Sequence, residues 1–95
     1  MMYYIIMLDP NANSTSLKMK IQELGNYFKI YENQYIVCGD YGNAKLLYER
    51  LVPNGEPQVG LVIFSVSVNS LKFWGYSDKE LWIFLGKHSE KNVVL

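Results

Sequence analysis

An apolar strand, an amphipathic helix, a strand pair, a second helix and a second apolar strand succeed one another before residue 69, and that order predicts an α+β chain. Three observations carry the prediction. Residues 3–8 and 60–68 are apolar without a polar face, as strands covered on more than one side are. Two segments between them have apolar residues at helical spacing, and residues 27–39 change to a period of two.

Residues 3–8, Tyr3-Tyr4-Ile5-Ile6-Met7-Leu8, form the first strand, and Asp9-Pro10-Asn11 ends it. After a polar turn over Asn11 to Ser16, Leu17, Ile21, Leu24 and Phe28 fall at helical spacing. Asn13, Ser14 or Ser16 is available as N-cap, and Gly25 as the stop. The alternation from Tyr27 to Gly39 reads as two strands joined tightly around Glu32-Asn33, or one long strand bulged there. Asp40 is placed to cap a second helix whose Ala44, Leu47, Tyr48 and Leu51 share a face, closed by Pro53-Asn54-Gly55. The loop to Gln58 is short, and Gly60 to Val68 reads as a central strand.

Leu71-Lys72-Phe73-Trp74 alternates and predicts a short edge strand ended by Gly75. Ser77-Asp78-Lys79-Glu80 has the spacing of a capping box, in which the Ser hydroxyl and the Glu carboxylate each take up an orphan backbone N–H, so a last helix is expected from Asp78 to about Lys87. Residues 1–88 are thus expected to be a single domain and 89–95 a tail ending in the apolar Val93-Val94-Leu95. The order β-α-β-β-α-β, with the first and fourth strands in the middle of the sheet, predicts a ferredoxin-like α/β sandwich carrying an added short edge strand and a C-terminal helix.

Composition narrows the chemistry. Nine basic residues balance nine acidic ones, so no overall field draws the chain to phosphate, and nucleic-acid binding would need a local patch. The single cysteine, Cys38, forms no internal disulfide, and with no signal-like leader a cytoplasmic location is expected. No apolar run approaches the ~20 residues of a membrane span. One histidine and one cysteine exclude a four-ligand zinc site within the chain, and His88 is read as a solvated helix-end residue. No phosphate-binding glycine motif occurs; turn and cap roles account for Gly39-Asp40-Tyr41-Gly42. Aromatic residues reach 15%, more than one small core encloses, which points to a subunit interface or a stacking surface.

The remaining lead is Asp9, a carboxylate at the carboxyl end of a buried strand, where open α/β sheets do their chemistry. Ordinary turn chemistry accounts for it as well, since an Asp side chain bonds backbone two residues on. Alone it does not hold a divalent cation firmly; two copies across a two-fold axis could.

The first strand ending in Met7-Leu8-Asp9, the helix closing as Glu23-Leu24-Gly25, and the run Lys29 to Val37 leading into Asp40 resemble the small CRISPR-associated adaptation subunit, the Cas-two family. Leu24-Gly25-Asn26-Tyr27-Phe28, Phe73-Trp74-Gly75-Tyr76-Ser77 and Trp82 are still more similar to a group of bacterial proteins called SinR-like. The resemblance runs to about His88 and implies a ferredoxin-like homodimer joined edge to edge. It also implies that Asp9 of each subunit faces a cleft for a divalent metal, Mg²⁺ or Mn²⁺. Departures set limits: where that family commonly has basic residues after the Asp, Pro10 to Ser16 contains none. VapD-type interferases share the expected fold without adding a matching residue.

Three functions follow as expectations: a non-catalytic homodimeric scaffold or modulator in a nucleic-acid-related or defence system, with nucleic acid or protein as partner; a weak metal-dependent nuclease using paired Asp9; and a ferredoxin-like module binding a small or regulatory ligand.

Overall fold

The structure, a computed structural model, describes residues 1–54 and 59–88, the last without its side chain. Among these residues the elements are, in order, β1 (Met2–Leu8), α1 (Thr15–Glu23), β2 (Tyr27–Tyr31), β3 (Gln34–Gly39), α2 (Ala44–Leu51), β4 (Leu61–Ser67) and α3 (Lys79–His88). The sheet is antiparallel throughout, in the order β2-β3-β1-β4. The chain is therefore an α+β fold, as expected.

Strand pleating gives the sheet two apolar faces, which is why β1 lacks a polar side. Tyr4, Ile6 and Leu8 point to one face with Tyr35 and Val37 of β3, where Ile21 of α1 and Leu47 and Leu51 of α2 close over them. Tyr3 and Ile5 point to the other with Ile36 and Cys38, under Leu81 and Leu85 of α3 and the buried Val68. Two helices, a sheet and one helix thus form three layers, with β1 and β3 sealed between them. The buried Tyr3 keeps its polar tip satisfied, its hydroxyl donating to Leu85 O at 3.0 Å.

The central pair is β1 and β3, which corrects the expectation that the first and fourth strands are central. β4 is an edge strand: Leu61 and Ile63 pack on the helix side, while Val62 and Phe64 stand 51% and 55% exposed on the other. Its apolar run reflects one covered face and one covered only at Val66, a distinction composition does not carry.

The expected edge strand at Leu71–Trp74 is also corrected, because that segment joins no ladder. Its alternation is real: Leu71 and Phe73 pack toward α3, Phe73 stacking on Trp82 with centroids 6.0 Å apart, and Lys72 and Trp74 face outward. Side-chain anchoring, not backbone pairing, holds it down.

Helix starts differ in detail. Asn43, not Asp40, caps α2: its backbone is extended, and its Oδ1 accepts the Leu46 N–H at 2.9 Å. Asp40 instead faces the N-terminal ammonium at 3.3 Å. At α3 the Asp78 carboxylate accepts the Glu80 N–H at 2.9 Å, so the bond assigned to Ser77 in a capping box belongs to the next residue. At α1, Asn13 Oδ1 accepts from the backbone and hydroxyl of Thr15, while Ser14 stands at the cap without a side-chain bond. Gly25 follows the helix at φ +102°, the left-handed backbone suited to a stop. The tight β2–β3 turn holds as expected, with Tyr31 opposite Gln34 and a register shift between Lys29 and Tyr31. The short loop to Gln58 and the tail 89–95 lie outside the described residues, as does the side chain of His88.

Candidate functional site

β1 leaves the sheet between two neighbours, and that places Asp9. Leu8 N–H donates to Asn33 O in the β2–β3 turn at 2.8 Å, and Asp9 N–H donates to Gly60 O, just before β4, at 2.9 Å. A Cβ at position 60 would lie 3.1 Å from Asp9 Cβ, so a glycine there lets the two backbones approach. Asp9 is exposed, and its Oδ1 accepts the Asn11 N–H at 2.9 Å. The Ala12 N–H donates to Asp9 O at 3.3 Å, completing a compact turn around Pro10. The carboxylate thus has one oxygen committed to its own turn.

Glu32 also lies at this end of the sheet, in the β2–β3 turn beside Asn33. Lys29 at 2.7 Å and Lys18 at 3.0 Å both reach it. Their hydrogen bonds, Lys29 first, lower its pKa to about 2, and the same contact raises that of Lys29. Glu32 and Lys29 are exposed and Lys18 is half-buried, so the trio is salt-screened, and it ties α1 to the β2–β3 hairpin.

The other reactive groups are elsewhere. Cys38 pairs across β3 and β1 with Tyr3, six residues and roughly 20 Å of strand from Asp9. Burial raises its thiol pKa, and its Sγ lies 3.7 Å from Met1 Sδ. Asp40 is likewise at the far end of the sheet, beyond the Met2–Gly39 pair. Among the described residues no three His, Cys, Asp or Glu side chains gather where they could hold a metal ion. Asp9 can contribute one or two oxygens to a cation, and Mg²⁺ or Mn²⁺ suits such a hard ligand.

The Gly39–Gly42 segment serves the fold. The Tyr4 hydroxyl donates to Gly42 O and accepts the Tyr41 N–H at 3.0 Å, while the Tyr41 hydroxyl donates to Leu24 O at 2.8 Å under the Arg50 guanidinium. The Tyr41 N–H, the Tyr41 hydroxyl and the Gly42 carbonyl are therefore engaged within the fold, while the Asp40 side chain is exposed.

Two exposed groups of side chains were not singled out by position in the sequence. Trp74 and Tyr76 are 79% and 100% exposed on the segment before α3, and Met7, Val62 and Phe64 form an apolar corner on the face that carries α3. The high aromatic content was the available signal, though it does not say which rings stay out. Among the described residues no helix is long and apolar enough to cross a membrane. Comparison with family models, curated proteins and solved structures finds no match.

Proposed function

We propose that this chain is a non-catalytic, homodimeric scaffold or modulator of the SinR-like or Cas-two-like kind, cytoplasmic and serving a nucleic-acid-related or defence system. The order of elements, with β1 and β2 parallel to each other and separated by β3, supports a ferredoxin-like sandwich extended by α3. The observation that carries the non-catalytic reading is the bond from the Asn11 N–H to Asp9 Oδ1, which gives the single candidate carboxylate a complete role within its own turn. Exposed apolar side chains on β4 and before α3 support association with another chain.

The alternative is a metal-dependent nuclease in which Asp9 and Asp9 of the partner subunit hold Mg²⁺ or Mn²⁺; the exposure of Asp9 at the carboxyl end of a central strand favours it. The test is incubation of the purified protein and its Asp9→Asn variant with RNA and DNA, with each metal and with chelator. The proposal predicts no metal-dependent cleavage and an unchanged fold in the variant, since Asn keeps the side-chain acceptor of the turn. Metal-dependent cleavage by the parent that vanishes in Asp9→Asn overturns it.

A further inference from the structure

The two edges of the sheet are built differently. β2 has five residues, carries Lys29 in its middle, holds that lysine against Glu32 at 2.7 Å, and breaks register between Lys29 and Tyr31. Charge, shortness and irregularity are the devices by which edge strands avoid pairing with other chains. β4 has none of them. Its seven residues, Leu61-Val62-Ile63-Phe64-Ser65-Val66-Ser67, hold no charge and no proline, and every one is in unbroken register with β1. Among the described residues no strand pairs with its outer side.

We propose that the outer edge of β4 pairs with β4 of a second copy of this chain, antiparallel about a dyad at Phe64, making one continuous eight-stranded sheet. The inference rests on the homodimeric reading and names its surface. A two-fold axis that pairs a strand antiparallel with itself stands perpendicular to the sheet, so each face stays on its own side. Only a centre at Phe64 pairs all seven residues.

The strand is self-complementary in that register. Along the face that carries α3 the order Val62, Phe64, Val66 reads the same in both directions, Val62 and Phe64 exposed and Val66 half-buried against the core, so valine meets valine and Phe64 meets Phe64 of the partner subunit. Met7, 41% exposed and directly opposite Val62 on β1, extends the apolar strip inward on each side. On the helix side Ser65 and Ser67 fall opposite Ile63 and Leu61 of the partner subunit, so two bulky side chains do not collide there. A strand without charges places no like charges across the dyad. This palindrome selects a second copy over an unrelated partner.

The experiment compares the parent chain with Phe64→Lys, Phe64→Cys and, as controls on the other edge, Tyr31→Lys and Tyr31→Cys; Tyr31 is 60% exposed on β2. Mass is read by light scattering at about 100 µM, a concentration that populates micromolar dimers. The parent and Tyr31→Lys are expected at twice the chain mass and Phe64→Lys at half that value. With oxidised glutathione as oxidant, Phe64→Cys is expected to form an interchain disulfide. Directly opposed antiparallel residues have Cα atoms roughly 4.5–5.5 Å apart, within disulfide range. Tyr31→Cys should not cross-link.

A parent chain at single-chain mass overturns the homodimeric reading and this inference together. A dimeric parent whose Phe64→Cys variant does not cross-link overturns the β4 surface alone. The cross-link keeps the test decisive should Phe64→Lys fail to fold.

Discussion

At the scale of single residues, the telling features are polar groups placed where burial or a helix end makes them count. Tyr35 is fully buried in β3 and its hydroxyl has no hydrogen-bond partner, whereas the buried Tyr3 and Tyr4 hydroxyls both bond to backbone. An unpartnered buried hydroxyl costs roughly 1–3 kcal/mol, so Tyr35→Phe should leave stability unchanged or raise it by about 1 kcal/mol. A urea midpoint that falls in this variant would show that the hydroxyl does have a partner. Glu32 offers a second reading by pH. Its pKa is lowered to about 2 by Lys29 and Lys18, so its contribution is present above the ordinary carboxylate range and is lost as pH falls through about 2. The stability difference between the parent and Glu32→Gln is therefore expected at neutral pH, to shrink on acidification below about 4.5, and to shrink with added salt because the group is exposed. A difference independent of both would assign the ion pairs no role.

At the scale of elements, the helix starts separate what spacing decides from what backbone geometry decides. Asp78→Ala should cost about 1 kcal/mol, because the Glu80 N–H loses its acceptor, while Ser77→Ala should cost much less. Denaturation midpoints of the two variants check this, and the reverse order would restore Ser77 as the cap. Asn43→Ala should likewise destabilise by about 1 kcal/mol and Asp40→Ala by less, since Asp40 meets an exposed terminal ammonium instead of a helix N–H. These helices were legible from the apolar spacing of Ile21, Leu47 and Leu51, all of which are buried. Their caps were not, because Asp40 and Asn43, or Ser77 and Asp78, are equally good cap chemistry. The choice falls to whichever residue has its oxygen within reach of the N–H, as Asn43 does with its extended backbone.

At the scale of the whole molecule, the difference between expectation and structure lies in which strand is covered by what. The two-sided burial of β1 was readable from Tyr3 to Leu8 because every residue type there is apolar. That of β3 was not, since its place between β1 and β2 depends on pairing rather than on composition. β4 is as apolar as β1, yet α2 packs on one side of it and Val62 and Phe64 stay out on the other. Asp9 was readable as the end of a central strand and as a turn former; that Asn33 and Gly60 flank it emerges only once β3 and β4 assemble around β1. The same assembly leaves an uncharged edge on one side of the sheet and a charged, irregular one on the other, and the account of function depends on that asymmetry.

The central claim, that this fold works as a homodimer, is tested most directly by the mass of the unmodified protein in solution. Light scattering at about 100 µM should report twice the 11.0 kDa of the chain, with dissociation on dilution in proportion to the affinity. A particle of single-chain mass at that concentration would contradict the account.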